Sequence, residues 1–108
     1  MLVTPPDLKL DKVEAFIKVV EESHPDMVAL FTQGQCYNFH LILKQVFPKA
    51  EGYWSHREGH CYTKIGRCYY DIRGKIGYLP VDLFKMSQKD HENAAEWAKN
   101  ETRRLSMG

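Results

Sequence analysis

The sequence has almost no excess of charge of either sign. Its 15 lysines and arginines are balanced by 14 aspartates and glutamates, for a formal net charge of +1, and the basic residues are scattered among the acidic ones. A nucleic-acid-binding surface needs a basic stripe or face. We therefore predict no nucleic-acid partner.

Long apolar runs are also absent. No stretch approaches the roughly 20 apolar residues that a membrane span requires. Residues 1–6 lack the basic start and the apolar stretch of a signal peptide. We expect a soluble, cytoplasmic protein with no membrane partner.

Cysteine is scarce, with three residues and no secretory signal. An odd number in this setting suggests reduced thiols rather than a disulfide framework. Neither a C-x-x-C pair nor an H-E-x-x-H motif is present, so no metal and no other cofactor is predicted. An open alternative is zinc, since the i, i+4 spacing of Cys36 and His40 suits that ion. Its further ligands would come from His56, His60 or Cys61.

The chain does have the composition of a globular domain, with 108 residues, 44% of them hydrophobic and 27% charged. This length predicts one domain spanning residues 1–108. Apolar residues at helical spacing predict four helices. These run from Leu8 to about Ser23, from Pro25 through Phe31, from Gly34 to Phe47, and from an N-cap at Asp90 to about Leu105.

Aromatic and β-branched residues alternate with glycine turns between Pro48 and the last helix. They predict antiparallel strands at residues 52–57, 60–65 and 68–73, with a short edge strand at residues 76–80 as a fourth. Helices first, strands second and a closing helix predict an α+β fold with a sheet of three or four strands. The aromatic side chains of these strands, Trp54 among them, are predicted to pack on the sheet.

Cys36 opens the third predicted helix. Unpaired N–H groups and the positive end of the helix dipole favour thiolate over thiol at such a position. Cys36 also begins an apolar stripe on one helix face, so burial in the core is its alternative role. The stripe continues through Phe39, His40, Leu43, Val46 and Phe47.

The hairpin around residues 66–67 predicts a base for this thiol. A two-residue turn there pairs Ile65 with Cys68 and makes His60 and Asp71 diagonal neighbours on one face of the sheet. The carboxylate would then fix the imidazole tautomer, and His60 would act as base toward the cysteine. A three-residue loop would place His60 and Asp71 on opposite faces.

Other roles for the same residue types stay open. In the two-residue register, Cys61 and Cys68 lie too far apart for a disulfide and are predicted to pack as small apolar residues. His40, one helical turn after the nucleophile, and His56 on another strand are alternative bases, although neither has an evident orienting acid.

Three features together resemble the papain-like cysteine protease superfamily, nearest its transglutaminase-like proteins and its small phage or bacterial members. They are a cysteine that opens a helix, a Gly-His-hydrophobic strand at residues 59–62, and the run Tyr-Tyr-Asp-Ile-Arg-Gly at residues 69–74. The resemblance covers residues 32–78. It implies a papain-like fold, with the nucleophile-bearing helix packed on the sheet. It also implies a triad of Cys36 as nucleophile, His60 as general base and Asp71 as the orienting residue.

Such a triad implies a cysteine-dependent acyl-transfer hydrolase: a peptidase, amidase or transglutaminase-like enzyme acting on a peptide, amide or other acyl substrate. The resemblance further implies an oxyanion hole made by the Cys36 N–H and the side chain of Gln33 or Gln35. Here the glutamine lies closer to the cysteine than it does in the family.

Two alternatives to an enzyme remain. The first is a catalytically inactive interaction module, such as a phage or mobile-element protein that binds a host protein. The second is self-association through the edge strand near Tyr78.

Overall fold

The helices precede a sheet and a further helix follows it. The computed structural model describes residues 11–32 and 35–107, with side chains as far as residue 100. Within this part of the chain there are four helices and a five-stranded antiparallel sheet. The helices are α1 Lys12–Glu22, α2 Met27–Thr32, α3 Cys36–Val46 and α4 Gln88–Met107. The strands are β1 Glu51–Ser55, β2 His60–Ile65, β3 Cys68–Asp71, β4 Gly74–Ile76 and β5 Phe84–Lys85.

Helix α1 begins at a capping box. The Asp11 carboxylate accepts a hydrogen bond from the Glu14 backbone N–H at 2.7 Å, and the Glu14 carboxylate accepts one from the Asp11 N–H at 3.2 Å. The predicted helix began earlier, at Leu8, which lies outside the described residues. Val13 and Ile17 on one face of α1 are buried, as their spacing predicts.

Helix α3 buries most of the predicted stripe, including Cys36, Phe39, His40 and Leu43. The prediction for Val46 was wrong, since this side chain is 47% exposed. The helix ends at Val46, and Phe47, the last residue of the predicted stripe, packs with its ring centroid 6.1 Å from that of Phe16 in α1.

The strand order in the sheet is β4-β3-β2-β1-β5. Ile65 pairs with Cys68, and Gly66 has φ +65°, so the predicted two-residue turn is confirmed. The fourth strand is an edge strand, but it runs over Gly74–Ile76 rather than residues 76–80. Strand β5 was not predicted, because two residues give no alternating pattern.

Two buried clusters join the layers. The larger lies among α1, α2, α3 and β3, and its members are Val13, Ile17, Phe31, Phe39, Leu43, Tyr70 and Ile72. The smaller lies where α3, β2 and α4 meet, and its members are Cys36, Tyr37, Cys61, Met86 and Ala98. Cys36 therefore belongs to the contact between the helices and the sheet.

Helix α4 starts earlier than predicted. Asp90 lies in its first turn, where its carboxylate accepts a hydrogen bond from the Ser87 N–H at 2.8 Å. The Ser87 hydroxyl in turn accepts one from the Asp90 N–H at 3.2 Å. Asp90 is thus the acidic partner in a capping box with Ser87 and not the N-cap itself. Among the described residues, no helix is both long and apolar enough to cross a bilayer.

Candidate active site

The Cys36 thiol lies against the beginning of strand β2. Cys36 is the first residue of α3 and only 4% exposed. Its Sγ accepts a hydrogen bond from the Cys61 backbone N–H at 3.4 Å. The start of the helix and the start of the strand thus meet at the peptide that joins His60 to Cys61.

His60 and Asp71 form a buried pair. The imidazole Nε2 lies 2.9 Å from Asp71 Oδ2, and the side chains are 8% and 3% exposed. This is the diagonal contact that the two-residue turn predicts. Because Nε2 is engaged by the carboxylate, Nδ1 is the ring nitrogen that is available to a second partner.

The surroundings of His60 favour its protonated form. Burial of the ring lowers its pKa, but hydrogen bonds to Asp71 and to Cys36, together with the negative charges on these groups, outweigh burial. The pKa of His60 is raised from 6.5 to about 9. The imidazole is therefore suited to hold a proton beside the Asp71 carboxylate.

Arg73 completes the environment of Asp71. Its backbone N–H donates to Asp71 Oδ1 at 2.7 Å, its Nε donates to Oδ2 at 2.9 Å, and its Nη2 also donates to Oδ2. Burial raises the pKa of the carboxyl, but the hydrogen bonds from His60 and Arg73 outweigh it and hold the pKa below its usual value. Asp71 is thus kept ionised.

Tyr62 and Glu58 also adjoin the site, and sequence reasoning did not assign them to it. The Tyr62 ring stands edge-on to the His60 ring, with centroids 4.8 Å apart, and its hydroxyl donates to Glu58 Oε1 at 2.7 Å. Burial and this hydrogen bond raise the pKa of Tyr62 to about 12, so the phenol stays protonated. The sequence signal that could have assigned Tyr62 to the site was its i, i+2 spacing from His60, which places both side chains on one face of a strand.

Of the two glutamines predicted as oxyanion donors, only Gln35 lies among the described residues. Gln35 is buried directly before Cys36, and its Oε1 accepts a hydrogen bond from Asn38 Nδ2. Gln33 lies outside the described residues. The role of Gln35 as an oxyanion donor stays a prediction.

His40 contacts Thr63, with its Nδ1 2.8 Å from Thr63 Oγ1. Burial, reinforced by His91 and Lys44 nearby, lowers the pKa of His40 to about 4. Gly52 leaves room for this packing, since a Cβ there would lie 3.1 Å from His40 Nε2. His40 is thus a neutral packing residue between α3 and the sheet.

His56 directly follows β1, and its Nδ1 accepts a hydrogen bond from Trp54 Nε1 at 3.2 Å. The hydrogen bonds of His40 and His56 thus go to Thr63 and Trp54, whereas the zinc alternative needs both rings to converge with Cys36 on one ion. Within the described residues, no group of three or more His, Cys, Asp or Glu side chains is arranged to hold a metal ion. Cys36, Cys61 and Cys68 have free thiols.

A family model described as Phage YunG-like protein matches residues 13–106. The chain belongs to the phage YunG-like protein family. The match spans all three residues of the Cys36-His60-Asp71 constellation. No curated protein and no solved structure matches the chain.

Asp71→Asn should lower the pKa of His60 from about 9 toward its ordinary 6.5. The substitution removes the negative charge, while burial continues to disfavour the imidazolium. An NMR titration of the ring Cε1–H, assigned with His60→Gln, measures this pKa. Asp82→Asn is the matched control, since Asp82 binds Ser55 and the Arg57 N–H instead. An unchanged His60 pKa in Asp71→Asn would show that the carboxylate does not govern the ring.

His40 should make the fold sensitive to acid. Its folded pKa of about 4 lies below the 6.5 of the unfolded chain, so its stabilising contribution is present above pH 6.5 and is lost as pH falls toward 4. Between pH 7 and 4, the parent chain should lose about 3 kcal/mol more unfolding free energy than His40→Gln does. Urea unfolding at several pH values measures this difference. His24→Gln, at an exposed histidine, is the control; equal pH slopes in His40→Gln and the parent would refute the assignment.

Proposed function

We propose that this member of the phage YunG-like family is a cysteine-dependent acyl-transfer hydrolase with a papain-like arrangement. It would act as a peptidase, amidase or transglutaminase-like enzyme on a peptide, amide or other acyl substrate. Cys36 is the nucleophile, His60 the general base and acid, and Asp71 the residue that orients His60.

One observation carries the proposal: His60 Nε2 lies 2.9 Å from Asp71 Oδ2, and the Cys36 thiol accepts a hydrogen bond from the N–H of Cys61, the residue directly after His60. A nucleophile, a base in contact with it and a third group that orients the base are what thiol-based acyl transfer requires. The papain-like interpretation is further supported by a cysteine at the first residue of a helix that packs on an antiparallel sheet.

In the first half of the reaction, the Cys36 thiolate attacks the acyl carbon, and the carbonyl electron pair moves onto oxygen. The Cys36 N–H, with the Gln35 side chain as second donor, would stabilise this oxyanion. When the tetrahedral intermediate collapses, the bond to the leaving amine breaks and His60 donates its proton to that amine. The products are a thioester on Cys36 and a neutral imidazole.

In the second half, neutral His60 takes a proton from water, and the resulting hydroxide attacks the thioester. Collapse expels the Cys36 thiolate, releases the acid and leaves His60 protonated again, so protons and charges balance. An amine in place of water gives transamidation by the same steps. Asp71 holds the ring through Nε2 in both halves, and Arg73 holds Asp71.

We also propose that the protein works in the cytoplasm. Its three thiols are free, which suits a reducing compartment. A thiol nucleophile also needs such surroundings to stay reduced.

A second candidate function is a non-catalytic interaction module of a phage or mobile element. Two observations favour it. Cys36, His60 and Asp71 are each less than a tenth exposed, whereas Tyr78 and Val81, in the segment between β4 and β5, are 96% and 87% exposed. Exposed apolar side chains of this kind are suited to a protein partner.

Acyl transfer from p-nitrophenyl acetate separates the two functions. The enzyme should release about one equivalent of nitrophenolate in a burst and carry an acetyl group on Cys36, detected by intact-protein and peptide mass spectrometry. His60→Ala should slow acylation by roughly 10²- to 10⁴-fold, because the thiol loses its base.

Cys36→Ser should abolish the burst, and Cys68→Ser, at a cysteine outside the site, should retain it. Thermal unfolding of each variant controls for loss of fold. A folded chain that acetylates Cys36 only after denaturation would contradict the enzyme and favour the interaction module.

A further inference from the structure

A groove opens beside the candidate active site, between strand β1 and helix α4. Its walls include Trp54 and Trp97, with Met86, Ala94 and Gly59 completing the apolar part, and its volume is about 380 Å³. This falls in the ~300–1,000 Å³ range of small-molecule pockets.

The groove lies one layer of side chains from the thiol. Met86, part of its lining, has its Sδ 3.9 Å from Cys61 Sγ, and the Cys61 N–H donates to Cys36 Sγ. Gly59, on its rim, directly precedes His60 in the chain. A substrate whose acyl carbon reaches Cys36 could therefore place a neighbouring side chain in this groove.

The shape of the groove suits a flat ring. The two indoles are half-buried and meet at 74°, with centroids 6.3 Å apart, so they form two sides of a corner. The Trp54 Nε1–H already donates to His56 Nδ1. The polar edge of this indole is thus satisfied within the protein, and an aromatic ring can pack against the indoles by edge or offset contacts.

The charge of the groove restricts its occupant further. Asp90 is the one carboxylate among the described residues that line it. Hydrogen bonds from the Ser87 backbone and hydroxyl lower the pKa of this carboxyl, so it is ionised near neutral pH. A negative charge here disfavours an occupant that carries an anionic group.

We propose that this groove binds a neutral aromatic side chain of the substrate, as carried by a phenylalanine or tyrosine within a peptide. The proposal rests on the proposed function, because it assigns a substrate class to the same active site. It makes Trp54 and Trp97 specificity-determining residues.

Both tryptophans of the chain line this groove, so intrinsic tryptophan fluorescence reports its occupancy directly. Titration with N-acetyl-phenylalanine amide should change the emission saturably. N-acetyl-alanine amide should bind at least tenfold more weakly, since it lacks the ring. N-acetyl-phenylalanine with a free carboxylate should also bind more weakly than the amide, because of Asp90.

Two adjacent positions of α4 provide matched variants. Ala94 lines the groove, and Ala95 is exposed next to it. Ala94→Phe should weaken binding of the phenylalanine amide at least tenfold by filling the groove, whereas Ala95→Phe should leave it unchanged. Trp97→Leu, which keeps an apolar side chain, should weaken binding severalfold and serves as a second test if Ala94→Phe does not fold.

The outcomes separate this inference from the function on which it rests. An acetyl burst on Cys36 without any saturable fluorescence change, or with equal affinities in Ala94→Phe and Ala95→Phe, overturns the groove assignment alone. Emission that changes when the protein itself is diluted shows that a second copy occupies the groove, and likewise overturns it. Binding of the phenylalanine amide without a burst supports an aromatic-binding groove but overturns the hydrolase.

Discussion

The hydrogen bond between His60 and Asp71 is the contact on which the rest of the site depends. It exists because a two-residue turn sets the register of β2 against β3 and brings both side chains to one face. A register shift of one residue would turn one of them to the opposite face of the sheet. The backbone of one hairpin therefore determines whether the thiol at the start of α3 has an oriented base.

Burial strengthens the His60–Asp71 hydrogen bond and also makes each charged group unfavourable unless it is paired. Away from water, an ionised carboxylate is tolerated only when its hydrogen bonds are satisfied, and Arg73 supplies those that His60 does not. The hydrogen bond to Asp71 in turn raises the pKa of the buried imidazole and keeps it protonated near neutral pH. His60, Asp71 and Arg73 thus depend on one another. They form a chain of paired polar groups within an otherwise apolar contact between helix and sheet.

The sequence predicted most of the architecture but not its details. Helical spacing located the four helices because each buries one face, and the glycine turn at residue 66 determined the decisive register. The prediction failed in two places: Val46, a member of the predicted stripe, is exposed, and β5 is too short to show a pattern. Arg73 and Tyr62 lie two residues from Asp71 and His60, so i, i+2 spacing was a signal for both, but the spacing alone does not specify the hydrogen bonds of Arg73 or the ring contact of Tyr62. The groove at Trp54 and Trp97 likewise depends on how α4 packs against β1.

Alkylation of Cys36 by iodoacetamide, followed by mass spectrometry from pH 5 to 9, tests the central claim most directly. If His60 holds a proton beside a thiolate, labelling of the parent chain should persist well below neutral pH. In His60→Ala, alkylation of Cys36 should occur only in the alkaline range of an ordinary thiol, near pH ~8.5. A parent profile that already follows an ordinary thiol, unaltered by His60→Ala, would contradict the account.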